Sequence, residues 1–391
     1  MNVDLIAPAL PPQVDGIGDY CALLAAAIAQ DARIRLISVE DQQHVPIAGI
    51  QCVPAFNPNR LRSVKRISKA VLHNPPDWLV LQFNQFSYGR WGLNPFLPWA
   101  LREIQSKAPC VRIAVMFHED FVPAINWKFV IMRVWQKWQF KQLGRLADVV
   151  LFSIDPWVRK YQSWFAGKPV LHLPVGSNIV RGEIPRAEAR SRLGIADGKT
   201  VVGIFGAVSE KRNVPWLSAA INAIGQSDSD ALILYIGADA AIVRRLAGNI
   251  PVIAQGPLPA DEVSRRLAAV DLYLAPFEDG ISTRRGTLMA AMQHGLAIAG
   301  TKGPLTDEML SVEDGRSFLL ADWRSTEAYA NCVRTLLENK SLRLELGRNA
   351  KELFDRHFAW DIISNSLLKI LREKGPRTVE ATPACEVSLA H

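Results

Sequence analysis

The chain has 391 residues, 49% of them hydrophobic and 21% charged, with a formal net charge of +7. This composition excludes a disordered chain, and the length exceeds one compact core and predicts two domains. The basic balance favours anionic partners such as acidic lipid or a phosphorylated substrate. Since zinc-finger spacing and an aromatic RNA-binding signature are both missing, we expect no nucleic-acid partner.

The cysteines and the N-terminus indicate the compartment. Five cysteines are scattered without a C-x-x-C pair or a Cys/His cluster, which favours a reducing cytosol and predicts no metal site. The first residues resemble a strand rather than a signal peptide, and no apolar run has the length needed to span a membrane. We therefore expect a cytoplasmic protein, either soluble or peripheral on the inner membrane face.

The first half of the sequence alternates short apolar runs with helical patterns, which is typical of a parallel sheet covered on both faces. The predicted strands are 2–6, 33–39, 78–82, 111–117, 148–153 and 169–173. The predicted helices between them are 18–30, 60–73, 96–107 and 127–146.

A second alternating series follows a break at 174–178 and a polar stretch that runs to Lys199. Its predicted strands are 200–206, 231–236, 251–254, 271–275, 296–300 and 317–320. Its predicted helices are 214–225, 239–247, 260–269, 285–293 and 326–337, followed by helices at about 341–354 and 360–373. Residues 375–391 are polar and without period, so we expect a disordered tail there.

Two such series predict an α/β fold of two tandem Rossmann-like, doubly wound domains, residues 1–178 and 179–358. Folds of this kind bind ligands at the carboxyl ends of their strands. We therefore expect the two domains to face each other across a cleft that holds the ligands.

The most informative segment, Pro276 to Gly295, follows the strand predicted at 271–275. It offers two hydroxyls and two arginines, Ser282, Thr283, Arg284 and Arg285, where an amphipathic helix begins. Backbone N–H groups at a helix start suit an oxyanion, and guanidinium groups add bidentate contacts to phosphate. The segment predicts a pocket for a phosphorylated ligand.

A glycine-containing loop follows the first strand. Gly16, Ile17 and Gly18 stand just before an alanine- and leucine-rich helix, and glycine lets the backbone approach a ligand closely. The third glycine of a dinucleotide-binding fingerprint is missing. The loop is therefore either a ligand-binding turn or a simple connection between strand and helix.

His118 directly follows the strand predicted at 111–117 and precedes Glu119 and Asp120. An imidazole beside two carboxylates suits a proton acceptor or a ligand of sugar hydroxyls, although a single histidine is also common as a structural residue. Its place at the carboxyl end of a strand favours the functional role.

The loop after the strand at 200–206 carries Lys211 and Arg212. If they point into the same cleft as the two arginines near residue 284, they would stabilise a leaving diphosphate. The alternative is a solvated pair of loop charges.

Two predicted helices carry basic faces that suggest a binding partner rather than a catalytic role. Residues 60–73 carry a basic face opposite an apolar one, and residues 127–146 repeat basic residues every four positions beside several aromatic residues. Basic faces with interfacial tryptophans suit an acidic membrane surface. The alternative is an ordinary amphipathic helix packed on a sheet.

Taken in order along the chain, these segments resemble retaining glycosyltransferases of the GT-B fold, group 1 or family four. The most specific region is 270–320, with its D-L-Y-L-A-P strand and the helix that ends at Gly295; other matches are 173–178 and 206–211. Residues 359–374 resemble the family's helix that crosses back to the first domain.

The resemblance implies a nucleotide-diphosphate sugar of UDP or GDP type on the second domain and an acceptor on the first. Lys211, Arg284 or Arg285 and the helix start would hold the diphosphate. The loop at 16–18 would close over the reacting centre, where His118 would meet sugar or acceptor. Asp19 and Glu278 complete the candidate catalytic set. Because the leaving group needs charge stabilisation, we expect neither a metal nor a cofactor.

The sequence departs from the family where two glutamates are expected, since Ser282 and Ala290 stand at those positions. Our leading hypothesis is sugar transfer, with retention, to a glycan, lipid-linked or small-molecule acceptor. The second is a non-catalytic GT-B protein that binds a glycan or nucleotide or supports a partner enzyme. A nucleotide-sugar epimerase of the same plan is the third.

Overall fold

The computed structural model describes residues 1–13, 15–40, 45–210, 212–227 and 230–373. These residues divide into two compact units, one of Met1–Pro174 together with the chain from Trp360, the other of Val175–Ala359. The tail predicted at 375–391 lies outside the described residues. None of the helices in the described part of the chain is long and apolar enough to cross a bilayer.

The strands are short and mostly buried. They are β1 Asn2–Ile6, β2 Arg33–Val39, β3 Gln51–Phe56, β4 Trp78–Phe83, β5 Arg112–Phe117, β6 Val149–Phe152, β7 Val170–His172, β8 Thr200–Phe205, β9 Ala231–Ile236, β10 Val252–Gln255, β11 Leu272–Ala275, β12 Ala297–Lys302 and β13 Leu319–Asp322.

The helices alternate with these strands. They are α1 Gly16–Ile28, α2 Arg66–His73, α3 Phe96–Lys107, α4 Trp127–Leu146, α5 Asp155–Tyr161, α6 Arg186–Arg192, α7 Val214–Ser227, α8 Ala240–Ala247, α9 Ala260–Leu267, α10 Gly286–Gln293, α11 Glu308–Ser311, α12 Thr326–Glu338, α13 Lys340–His357 and α14 Trp360–Glu373. Short 3-10 turns occupy Leu61–Lys65, Arg90–Gly92 and Gln162–Phe165.

The first unit is built on a parallel sheet with the strand order β3-β2-β1-β4-β5-β6-β7 in the described chain. Strand β4 is buried along its whole length, because helices cover both faces of such a sheet and apolar runs then bury on both sides. Helix α14 packs on α1, where the Trp360 and Tyr20 rings lie 5.4 Å apart.

The second unit repeats the plan with the order β10-β9-β8-β11-β12-β13 in its described residues. Its core joins the central strands to helices α7 and α12 and includes Ile233, Leu272 and Tyr329. Both sheets therefore have the 3-2-1-4-5-6 order of a doubly wound fold. The predicted fold class, two Rossmann-like α/β domains, is confirmed.

The sequence patterns missed four elements: β3, α5, α6 and α11. Strand β3 is a poorly patterned edge strand that contains Pro54, and an edge strand tolerates proline because one side of it makes no ladder hydrogen bonds. The polar stretch before Lys199 contains α6, which has only one buried residue, Ala189. Such a helix lacks the apolar period on which prediction depends.

Candidate functional site

In each sheet the strand order reverses between two central strands, β1 and β4 in the first unit and β8 and β11 in the second. Doubly wound folds bind ligands at the carboxyl ends of the strands at such a point. In the second unit, β8 ends in the loop at 206–213 and β11 in the loop at 276–285. These two loops define the first candidate site.

The loop at 276–285 is clamped by the segment that follows β12. Gly280 adopts φ +92°, and a Cβ there would overlap Thr306 and Gly303, so no other residue fits this close approach. The Thr283 N–H donates to Asp307 Oδ2 at 2.7 Å, and Asp307 is fully buried. The Leu305 N–H donates to the Asp279 carbonyl at 2.9 Å. The loop therefore has a fixed shape before any ligand binds.

The two predicted arginines share one carboxylate. Arg284 Nη2 lies 2.5 Å from Asp279 Oδ2, and Arg285 Nη2 lies 2.6 Å from Asp279 Oδ1. The Arg285 guanidinium also lies over the Phe277 ring, 4.5 Å from its centroid. Both guanidinium groups are held at the start of α10, and the acid that holds them occupies a position where an anionic ligand would compete.

The two predicted hydroxyl residues, Ser282 and Thr283, are fully buried just before α10. Among the described residues, Ser282 Oγ has no hydrogen-bond partner. A buried hydroxyl without a partner costs free energy, and the first N–H groups of a helix lack partners within the helix. The segment thus combines a helix start, two guanidiniums and an unsatisfied hydroxyl, a combination that suits a phosphorylated ligand with hydroxyl groups.

The loop after β8 meets the same helix start. Gly206 adopts φ +106°, and a Cβ there would lie 3.3 Å from the Thr287 side chain in the first turn of α10. The Tyr235 hydroxyl donates to the Gly206 carbonyl at 3.0 Å. Arg212 and Glu278 form an exposed ion pair with Nε to Oε1 at 3.5 Å, which brings two predicted site residues together. The predicted Lys211 lies outside the described residues.

In the first unit, Asp15 caps the loop that contains the predicted glycines. Its Oδ1 accepts the N–H groups of Ile17 at 3.0 Å and Gly18 at 2.7 Å. Gly18 approaches Ala9 closely, since a Cβ there would lie 3.0 Å from the Ala9 carbonyl carbon. Burial and the nearby Asp15 charge raise the pKa of Asp19, as expected for a carboxyl group in a partly desolvated site.

His118 lies beside this loop. Its ring packs edge-on against Tyr20 with centroids 5.0 Å apart, and its Nε2 lies 2.7 Å from Gln82 Oε1. Burial lowers the pKa of His118 to about 4, so the imidazole is neutral at pH 7. The amide oxygen accepts the Nε2 proton, which leaves Nδ1 with a lone pair that can accept a hydroxyl hydrogen bond.

Further buried polar atoms without partners occur in this part of the unit. Within the described chain, the Tyr20 hydroxyl, Gln82 Nε2 and both amide atoms of Gln85 have no hydrogen-bond partner. Gln82 belongs to β4, and Gln85 belongs to the loop that follows it. These groups lie near the carboxyl ends of the central strands, where a polar ligand would be expected.

Sequence reasoning missed the acids and amides that organise both sites. Asp15 had a usable signal, because an aspartate directly before a helix start is a typical N-cap. Gln82 also had one, as a lone amide in the apolar strand W-L-V-L-Q-F. The sequence offered no signal for the partners of Asp279 and Asp307, since these depend on how two loops fold against each other. Among the described residues, no three His, Cys, Asp or Glu side chains are grouped as metal ligands.

One protein-family model matches most of the second unit. Residues 199–339 match the family model described as "Glycosyl transferases group 1". A curated relative from Mycobacterium tuberculosis, a GDP-mannose-dependent alpha-(1-6)-phosphatidylinositol monomannoside mannosyltransferase, is 24% identical over 252 residues. That match covers 59% of this chain and 63% of the relative, which is less than two thirds of its length.

Solved structures share the fold over almost the whole chain. The sucrose-phosphate synthase of Thermosynechococcus elongatus superposes with a TM-score of 0.71 at 14% identity, covering 96% of this chain and 99% of that one. Anabaena HepE, in complex with UDP and glucose, gives a TM-score of 0.65 at 17% identity, covering 95% and 100%. At such identities the likeness shows a common architecture.

Proposed function

We propose that this chain, whose residues 199–339 form a group 1 glycosyl transferase domain as the motifs predicted, is a glycosyltransferase. It transfers a sugar from a nucleotide-diphosphate sugar to a glycan, lipid-linked or small-molecule acceptor, with retention of configuration. The donor occupies the second unit and the acceptor the first.

The observation that carries this proposal is the loop at 276–285. It presents Arg284 and Arg285 at the start of α10, where both guanidiniums already hold a carboxylate. A diphosphate carries more negative charge than that carboxylate and accepts several bidentate contacts. Preorganised cations at the leaving group stabilise the charge that develops as the glycosidic bond to the diphosphate breaks. The proposal assigns this stabilisation to protein groups, with Lys211 and Arg212 as further candidates, and to no metal ion.

The buried hydroxyl of Ser282 supports a sugar nucleotide rather than a simple phosphate. Ser282 lies within two residues of the arginines, and its Oγ has no partner among the described residues. We propose that a donor hydroxyl or phosphate oxygen completes its hydrogen bonding. Glu278, at the rim and 46% exposed, is the carboxylate available to the donor sugar.

In the first unit we propose that His118 binds a hydroxyl of the donor sugar or the acceptor through Nδ1. Its depressed pKa keeps the imidazole neutral and able to accept a hydrogen bond. Asp19, with its raised pKa, is the candidate group for exchanging a proton with the acceptor. The turn at Gly16, Ile17 and Gly18 leaves room for the reacting groups, because glycine carries no side chain.

The names of the similar proteins support the donor class. HepE was solved with UDP and glucose, and the mycobacterial relative is named for GDP-mannose and a phosphatidylinositol monomannoside. We propose a UDP- or GDP-sugar as donor, and the second name supports a lipid-linked acceptor. We also propose that the protein acts in the cytoplasm, peripherally on the inner membrane face through the basic segments 60–73 and 127–146.

The donor proposal is tested by thermal unfolding of the full chain with UDP, GDP, UDP-glucose and GDP-mannose. A ligand that binds only the folded state raises the melting temperature in a concentration-dependent way. We expect one nucleotide and its sugar to do so. If none of the four shifts the transition at millimolar concentration, the donor-site proposal is wrong.

One observation favours a second function, a non-catalytic nucleotide- or glycan-binding protein. The family resemblance leads us to expect glutamates at two positions of this segment. Ser282 and Ala290 stand there instead, and both are fully buried. Slow hydrolysis of the bound nucleotide sugar to free sugar and nucleotide separates the two functions, because an active transferase retains some transfer to water. Binding without any turnover supports the second function.

A further inference from the structure

We propose that one face of α4, together with Ile125 and Trp91, docks on an anionic lipid bilayer. This inference rests on the proposed transferase function and names its acceptor class, a lipid-linked acceptor held in that bilayer. We call the docking surface the apolar stripe and define it by its exposed side chains: Trp91, Ile125, Trp127, Val130, Ile131, Val134 and Trp138.

The stripe follows one face of the helix. Successive helical residues rotate by about 100°, so Trp127, Ile131, Val134 and Trp138 project within a sector of about 60°. The side chains of Trp127 and Val134 are each 69% exposed. The opposite face carries the contacts with the unit, among them Phe140, which is fully buried in an aromatic cluster. Helix α4 therefore packs through its buried face and leaves a separate, apolar face in water.

Trp91 extends the stripe from a separate segment. It is 63% exposed and has φ +61°, a left-handed conformation that a bulky residue seldom adopts. Its carbonyl accepts hydrogen bonds from Trp135 Nε1 at 3.0 Å and Gln136 Nε2 at 3.3 Å. Helix α4 thus fixes the backbone that displays this indole.

The charges beside the stripe identify the occupant. Helix α4 contains five basic residues and no acidic one. The Lys137 and Lys141 ammonium groups lie 5.3 Å and 4.6 Å from the Trp164 ring centroid, and Arg133 lies over Phe121. These cations border an apolar surface rich in tryptophan. Anionic headgroups above an acyl region complement both properties, as in helices that lie in a membrane interface.

The other basic segment, residues 60–73, does not combine basic side chains with an exposed apolar face. In residues 60–73 the apolar residues Val64, Ile67 and Val71 are fully buried under the exposed basic side chains. Their burial leaves Leu61, at 37%, as the exposed large apolar side chain of that segment, and one such side chain does not make an apolar face. The segment adds positive charge near a membrane but no anchor.

The position of α4 in its unit links docking to the proposed reaction. His118 directly follows β5, and α4 begins nine residues later at Trp127. The first half of α4 therefore lies nearest the carboxyl ends of the strands, and four of the five α4 residues of the stripe lie in that half. A bilayer on the stripe would present a lipid-linked hydroxyl group beside the acceptor-side residues.

The test is sedimentation of the full chain with vesicles of phosphatidylcholine alone and of equal parts phosphatidylcholine and phosphatidylglycerol. We expect binding to the anionic vesicles only. Trp127→Ser with Val134→Ser should lower the vesicle affinity about tenfold or more, because the anchoring apolar area is lost. The matched control is Val312→Ser with Leu344→Ser, which removes two comparably exposed apolar side chains from the second unit and should change nothing.

Charge is tested separately. Lys137→Gln with Lys141→Gln should lower the vesicle affinity about fivefold for each charge removed, and added salt should likewise weaken vesicle binding by the wild type.

The proposal is overturned if the wild type binds neither vesicle, binds both equally, or loses as much affinity through the control pair. It is also overturned if analytical ultracentrifugation shows an oligomer that the stripe variant dissociates, since the stripe would then join two copies. Thermal shift with UDP or GDP, unchanged in all these variants, shows that the proposed transferase function is unaffected by such an outcome.

Discussion

The two units have the same strand order around their central strands but carry opposite chemistry where that order reverses. The second unit places two arginines and a buried hydroxyl at a helix start. The first unit places a neutral imidazole, a carboxyl group with a raised pKa and buried amides near its switch point. The topology fixes where ligands bind, and the side chains decide which ligand. We propose that the charged site binds a diphosphate and that the neutral hydrogen-bonding groups of the first unit bind hydroxyls.

The largest expected effect tests the charged side of this contrast. Arg284→Ala with Arg285→Ala should weaken UDP or GDP binding about a thousandfold, since two charge-assisted bidentate contacts are lost. Isothermal titration calorimetry measures it. Arg324→Ala, which removes an exposed arginine paired with Asp322 in the same unit, is the control and should bind as the wild type does. Equal affinity in the double variant would place the diphosphate elsewhere.

His118→Ala tests the neutral side. It should lower the rate of sugar transfer about a hundredfold, the usual contribution of a positioned hydrogen-bonding or proton-transfer group. Nucleotide affinity should stay unchanged, because His118 belongs to the other unit. A loss of nucleotide affinity with a normal rate at saturating donor would contradict the division of roles between the units.

Acid pH should destabilise both units through one buried histidine each. Burial lowers the pKa of His118 and of His294 from 6.5 to about 4. The unfolded chain therefore binds protons at a higher pH than the folded one, and stability is lost as the pH falls from about 6.5 towards about 4. Between pH 7 and pH 5 each histidine should cost about 2 kcal/mol of unfolding free energy.

Urea unfolding at the two pH values measures this cost. His118→Asn and His294→Asn should each flatten the pH dependence by that histidine's share. A slope that neither substitution changes would assign the acid sensitivity to carboxyl groups instead.

Asp279→Asn tests whether the internal carboxylate competes with the donor. The amide keeps the size of the side chain but removes the charge that both arginines hold. UDP or GDP should bind about tenfold more tightly, since the phosphates no longer displace an anion, while the ligand-free protein should melt at a lower temperature. Weaker binding would mean that Asp279 instead orients the arginines for the ligand.

The smallest expected effect concerns Ser282→Ala. The substitution removes a hydroxyl that has no partner among the described residues, so the unfolding free energy should stay equal or rise slightly. Affinity for the nucleotide sugar should fall about fivefold if the hydroxyl binds the sugar, while affinity for the nucleotide alone stays constant. A clear loss of stability without ligand would show that Ser282 is structural.

Particular residues show how far prediction from sequence reached. The segment at Ser282 to Arg285 was predicted as a phosphate site because hydroxyls and arginines precede an apolar helix pattern, and the structure places them at the start of α10. Asp279 was visible in the sequence, but its grip on both arginines depends on the turn at Gly280. In 127–146 the sequence predicted a basic face beside several aromatic residues, yet one of those aromatic residues, Phe140, is fully buried, whereas the aliphatic Val134 is exposed.

The sequence by itself determined the two α/β domains and the elements whose loops carry chemistry, because apolar period and turn residues are local properties. It also determined the family resemblance of the second domain, which depends on the order of motifs. Only the tertiary structure decided which acids hold the arginines, which polar atoms are buried without partners, and which apolar face of α4 meets water. Those properties depend on contacts between residues far apart in the chain, and no local pattern encodes them.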